Sequence, residues 1–231
     1  MRNLMSSLQI DHTALVKELA EVSARFETAS PGDIVRWALE RFDGDVVYAC
    51  SFQDIVLLDI AHAVDPDLEV IFLDTEAHFD ETLAYRDEVA QRYDLNLTIT
   101  HPAPGATPCG QDGCCAARKV APLKEAVKGR AAWLTALKRV DASTRDKAPI
   151  VSWDEAFGLV KLNPMATWTD EDIASYEQTH ELPIHPLIPQ GYLSIGCAPT
   201  TRPVAPGDDP RSGRWSNSSK IECGLHEPSS S

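Results

Sequence analysis

Apolar positions at the start of the chain recur at helical spacing. Leu15, Leu19, Val22 and Phe26 share one face and predict a helix that ends near Ser30-Pro31-Gly32. A second helix runs to about Phe42, where Asp43-Gly44 breaks the pattern. The period then changes. Asp45 to Cys50 (DVVYAC), Leu68 to Leu73 (LEVIFL), Leu95 to Thr100 and Ala132 to Ala136 are short β-branched or aromatic runs, the form taken by strands buried on both faces. Between them Asp54 to Val64, Asp80 to Tyr93 and Cys114 to Val127 read as helices, and Ile150-Val151 continues the alternation.

Strand–helix alternation with short connections predicts an α/β fold with a doubly wound, mostly parallel sheet covered on both faces. Ligands of such sheets sit outside the carboxyl ends of the strands, at a topological switch point. That rule selects Ser51-Phe52-Gln53-Asp54, Asp74-Thr75-Glu76 and Leu137-Lys138-Arg139. The first reads either as a loop whose amides face a phosphate at a helix N-terminus or as a plain helix cap, and Asp74 and Thr75 admit the same two readings. After His185, Pro and Gly recur too densely for regular structure, which suggests a mobile tail or lid. The expected organisation is an N-terminal helical segment (1–44), an α/β nucleotide-binding core (45–190), and a cluster loop with a flexible catalytic tail (191–231).

Composition narrows the partners. With 43% hydrophobic and 24% charged residues the chain is an ordinary globular one, and its longest apolar runs fall far short of the roughly 20 residues of a membrane span. A net charge of −14 repels nucleic acid and anionic lipid, so neither is an expected partner. An anionic ligand would need locally concentrated cations. Met1 to Ile10 lacks the apolar core and cleavage site of a signal peptide, and the expectation is a cytoplasmic protein. Grouped cysteines there more often ligate metal or do chemistry than form disulfides.

Six cysteines are present, of which Cys50 ends an apolar run and reads as core. Cys114-Cys115 opens a predicted helix and is followed by Arg118-Lys119, a setting that stabilises thiolates; two small buried hydrophobes is the alternative. Cys197 lies in a Gly- and Pro-shaped loop with Thr200 where a Cys-x-x-Cys clamp would have its second thiol. A hydroxyl is a poor ligand for soft metal centres. Cys223 stands near Lys220 and His226 with Arg202, Arg211 and Arg214 upstream, cations suited to activating a thiol and holding an anion beside it. His62 reads as a surface residue, and His180 and His185 as structural.

Taken in order, Ser-Phe-Gln-Asp, Leu-Asp-Thr, Cys-Cys-x-x-Arg-Lys-Val-x-Pro-Leu, Trp-Leu-Thr-x-Leu-Lys-Arg, Lys-Leu-Asn-Pro-Met-Ala-x-Trp-Thr, Gly-Tyr-x-Ser-Ile-Gly-Cys and Glu-Cys-Gly-Leu-His cover Val46 to His226. This ordered set resembles the assimilatory sulfonucleotide reductases, most of all the bacterial adenosine 5′-phosphosulfate (APS) reductases. The resemblance implies an ATP-pyrophosphatase-like fold and reduction of APS to sulfite and AMP. Cys223 would be the nucleophile that forms an S-sulfocysteine, with thioredoxin as reductant. It also implies APS contacts from Ser51, Gln53, Asp54, Asp74, Thr75, Lys138, Arg139, Arg202, Arg211, Arg214 and His226.

The subclass with paired cysteines carries a [4Fe–4S] cluster, here on Cys114, Cys115 and Cys197, with Thr200 at the fourth ligand position. Three thiolates and a hydroxyl predict an incomplete, labile cluster with an open iron; Cys109 is the less favoured substitute ligand. Glu76, Ala136 and Lys138 also depart from the family pattern, where Gly, Gly and Arg stand. The competing readings are an impaired paralogue that only binds adenine nucleotide, a reductase of the 3′-phosphorylated substrate, and a zinc-bound relative of the nucleotide-activating thiolation enzymes.

Overall fold

The computed structural model describes residues 12–215, 220 and 222–225. Among them, strands β1 (Val46–Ala49), β2 (Glu69–Leu73), β3 (Leu97–Thr100), β4 (Ala132–Leu134), β5 (Val151–Asp154) and β6 (Leu159–Leu162) form one sheet in the order β3-β2-β1-β4-β6-β5. Neighbours are parallel except for the β5–β6 hairpin. The chain winds outward from β1 to one edge and returns to β4 beside it, so the carboxyl ends of β1 and β4 diverge into a crevice.

Both faces of the sheet are covered, as the continuous apolar strands require. Val46, Tyr48, Val70 and Leu134 face a core shared with Leu19 and Val22 of α1 (His12–Arg25), Ile34 and Val35 of α2 (Pro31–Arg41), and α3 (Val56–Val64). Val47, Ile71 and Trp133 point the other way, onto Leu123 of α5 (Ala121–Ala126). Ser23 of α1 accepts hydrogen bonds from the amides of Ile150 and Val151, which ties the N-terminal helices to the hairpin. Ser30 caps α2 by accepting from the Asp33 amide at 3.1 Å, with Pro31 in the first turn. α4 (Asp80–Tyr93) occupies the predicted range, and none of the described helices is long and apolar enough to cross a membrane.

Three features depart from the sequence reading. The helix expected over Cys114 to Val127 is present from Cys114 to Ala126, but its middle is a π segment (Ala116–Val120) that leads into α5, where Pro122, with no amide to donate, sits in the first turn. β6 went unrecognised, its apolar run being interrupted by Lys161, and α6 (Asp170–Thr179) is too charged to show a helical stripe. The segment after His185 lacks regular structure apart from short 3₁₀ turns, but its described residues are packed rather than loose: Leu187, Ile195, Cys197, Thr201 and Trp215 are buried, and Thr201 pairs with Arg214 as an isolated antiparallel bridge.

Candidate active site

The crevice between β1 and β4 opens into a cavity of ≈ 720 Å³, ample for a nucleotide. Ser51, Gln53 and Asp54 line it after β1, and Thr135, Ala136, Leu137 and Lys138 line it after β4. The loop after β1 bends through Phe52, whose φ of 55° is unusual for a bulky residue, and whose amide donates to Cys50 Sγ at 3.4 Å. Gln53 Oε1 accepts from the Ile195 amide at 2.8 Å and so ties this loop to the segment carrying Cys197. Asp54 accepts only a long 3.4 Å bond from the Val56 amide, and burial raises its pKa although Lys138 opposes the shift.

Lys138 is held between Asp141 (3.2 Å) and Asp170 (3.3 Å), with Asp54 and Glu177 lining the same cavity. Lys119, Arg211 and Arg214 bring further positive charge, and Cys223 lines the cavity with them. Local cation density therefore exists in an acidic chain.

Cys223 owes its place to its neighbour. The Glu222 carboxylate takes 2.7 and 2.8 Å bonds from the Arg145 guanidinium, a 3.3 Å bond from Arg211 and a 3.2 Å bond from Thr144. Glu222 and Arg145 are both buried, and Lys161 donates to the Leu225 carbonyl at 3.3 Å on the other side of the thiol. Burial pushes the Lys161 ammonium down to about 8, against the pull of Asp154. Neither Arg145 nor Glu222 was singled out from sequence. A charged residue beside a reactive cysteine was the available signal.

A second, small cavity collects the remaining thiols except Cys50. Cys109, Cys114, Cys115 and Cys197 line it together with Arg118, Lys119, Thr200, Arg214 and Trp215. Cys114 and Cys115 Sγ are 4.0 Å apart, and Thr75 Oγ1 lies 3.4 Å from Cys197 Sγ. The neighbouring Cys109 thiol and the charge of Lys119 pull the Cys197 thiol down to about 4, against its burial. Burial raises Cys115, which Lys220 opposes through a hydrogen bond. Arg214 reaches both cavities; a Cβ on Gly196 would run into its guanidinium, so only glycine leaves it room there.

Several expected substrate contacts lie elsewhere. Asp74 accepts from the Glu76 amide at 2.8 Å, Thr75 is buried with its hydroxyl against Cys197 Sγ, and neither lines the crevice. Arg139 points away, paired to both oxygens of Glu27 at 2.7 Å, and Arg202 donates to carbonyls of its own loop. His226 lies outside the described residues. Glu76, which stands where the family pattern has Gly, pairs with Arg118 at 3.2 Å, and its φ of 55° is the conformation that favours glycine.

Cys50 is core, as read from sequence: it is 4% exposed and burial pushes its thiol up to about 12. Its alkylation by iodoacetamide at pH 8 is expected to be about 10³-fold slower than that of a free cysteine thiol, since the thiolate reacts. Peptide mapping after timed labelling checks this, and comparable labelling would place Cys50 in a far more open site.

The chain is similar to known proteins. Residues 45–203 match the phosphoadenosine phosphosulfate reductase domain. Adenosine 5′-phosphosulfate reductase of Mycolicibacterium smegmatis is 46% identical over 225 residues, covering 91% of this chain and 94% of that one. The enzyme of the same name from Mycobacteroides abscessus is 46% identical over 88% of this chain and 91% of its own. Among solved structures, phosphoadenylyl-sulfate reductase from Candida auris superposes with a TM-score of 0.68 at 25% identity, over 85% of this chain and 99% of that one. Candida glabrata FMN adenylyltransferase shares the fold alone, with a TM-score of 0.56 at 16% identity over 81% and 75% of the two chains. With a crevice at the β1–β4 switch point, a thiol docked into it and a family match over most of its length, this chain belongs to the phosphoadenosine phosphosulfate reductase domain family.

Proposed function

We propose that this chain reduces adenosine 5′-phosphosulfate to sulfite and AMP, with Cys223 as nucleophile and thioredoxin as electron donor. The observation that carries the reading is the Cys223 thiol facing a nucleotide-sized crevice beside Lys119, Arg211 and Arg214. Val140, Ile184 and Leu193 line the same cavity and are exposed, which suits them to covering by a flat adenine. The cations suit the phosphosulfate end, where guanidinium groups offset charge gathering on the departing phosphate.

The chemistry balances with a dithiol. Cys223 thiolate attacks the sulfur of the sulfate, the bond from that sulfur to the bridging oxygen breaks, and AMP leaves with the electron pair. The S-sulfonate on Cys223 is then attacked at Sγ by one thioredoxin thiolate, expelling sulfite and forming a mixed disulfide. The second thioredoxin thiol resolves it, returning Cys223 reduced and thioredoxin oxidised.

The thiol cavity suits a [4Fe–4S] cluster. Four free cysteines border it with Lys119, and the buried Arg214 Nε lacks a hydrogen-bond acceptor among the described residues. A cubane takes its thiolates at separate irons, so its ligands need not converge on one point as those of a single zinc ion do. When bound it would supply fixed charge next to the cations of the crevice. Lys119 and Arg214 would hold that charge on one side and the phosphosulfate on the other.

The substrate is APS rather than its 3′-phosphorylated form, because Asp54, Asp141, Asp170 and Glu177 line the crevice around Lys138 and disfavour another phosphate there. Sulfite release is expected from APS and reduced thioredoxin, with kcat/KM at least about 10-fold above that for the 3′-phosphorylated compound, a difference near 1.4 kcal/mol. Reversed preference at fixed ionic strength would assign the other substrate, and absence of sulfite from both would leave a nucleotide-binding protein.

A further inference from the structure

We infer that Cys109 is the fourth cluster ligand of this chain and stands in for the thiol that Thr200 lacks. The inference rests on the cluster reading above and concerns which side chains hold the cluster. Cys109 borders the same small cavity as Cys114, Cys115, Cys197 and Thr200, and the turn that follows it lies against Thr200. Thr200 is unsuited by more than its oxygen: its hydroxyl donates to the Cys197 carbonyl at 3.3 Å within its own turn.

The loop that brings Cys109 there is fixed by Arg118, which also borders the cavity. Arg118 donates to the carbonyls of Thr107 (2.6 Å), Ala106 (3.1 Å) and Thr75 (2.8 Å), so one guanidinium fastens the Cys109 approach to the loop after β2. The chain then turns at Gly110, whose φ of +94° favours glycine; a Cβ there would make an ordinary 3.6 Å contact with Thr200 Cγ2, which places this turn against Thr200. The Gln111 amide closes this turn on the Pro108 carbonyl at 3.2 Å, and the Cys114 amide returns to Gln111 at 3.1 Å. A thiol is therefore supplied by a local turn adjacent to the deficient position. On ligation each thiol loses its proton, and Lys119, Arg214 and Lys220 stand near the resulting thiolates.

The test is anaerobic purification of wild type, Cys109→Ala, Thr200→Cys and the Cys109→Ala/Thr200→Cys double variant, with iron and sulfide counts, electron paramagnetic resonance and far-UV circular dichroism as a folding control. The expected result is about four irons and four sulfides in the wild type, three or fewer irons in Cys109→Ala with the resonance of a three-iron cluster after oxidation, and about four again in the double variant. If Cys109→Ala keeps four irons and the air lifetime of the wild type, Cys109 is not a ligand. If the wild type holds three and Thr200→Cys alone gains the fourth, the site is open and the proposal fails. Absence of iron from both wild type and Thr200→Cys overturns the cluster reading itself.

Discussion

Cys223→Ser is expected to lower sulfite production by at least about 10³-fold, because a hydroxyl is almost wholly protonated at neutral pH and is a far weaker nucleophile than a thiolate. Nucleotide affinity should change little, since the crevice walls come from the loops after β1 and β4. The decisive measurement is intact mass after incubation with APS alone. Wild type should gain one SO₃ group, mapped to Cys223 and removed by reduced thioredoxin, and the variant should gain none. An adduct that persists in the variant would move the nucleophile to another cysteine.

Arg145→Met should produce the second large effect. It removes two short charge-assisted bonds from Glu222 and a 3.2 Å contact to Asp141, leaving Arg211 and Thr144 on a carboxylate that is 7% exposed. Breaking one partner of a buried ion pair costs about 3–5 kcal/mol, and here the loss can be relieved by releasing the segment around Cys223 without unfolding the sheet. The expected outcome is a kcat lower by about 10²-fold or more with a smaller change in KM, and faster tryptic cleavage after Lys220. Unchanged kcat and unchanged cleavage would show that this pair does not hold the thiol in place.

The same pair makes docking sensitive to acid. Burial raises the Glu222 pKa, but the Arg145 hydrogen bonds and charge, with Arg211, outweigh it and hold the carboxyl below its ordinary 4.5. The contribution is thus complete above the ordinary carboxylate range and is lost as pH falls through the lower docked value.

Much of the sheet was legible because strands buried on both faces must be runs of apolar residues, and DVVYAC and LEVIFL contain little else. β6 was hidden by Lys161, which is buried beneath Trp133 at 5.0 Å from the ring centroid and 3.9 Å from Asp154, an environment no local pattern announces. The crevice followed from topology, and Ser51, Gln53, Lys138 and Cys223 are indeed brought together there. Adjacent residues proved harder: Lys138 faces the cavity whereas Arg139 turns to Glu27, more than a hundred positions away in sequence. The position of Cys109 depends on three carbonyl bonds to Arg118, and carbonyls carry no sequence signal.

Lys119 and Arg214 each form part of the wall of both cavities, so two cations are shared between two sites that take negative charge. Sharing makes the sites thermodynamically reciprocal: whatever factor a bound metal centre adds to nucleotide affinity, bound nucleotide must add to the affinity for that centre. If the proposed cluster is bound, its retention would therefore depend on substrate concentration, and an iron count with and without nucleotide would read the coupling directly.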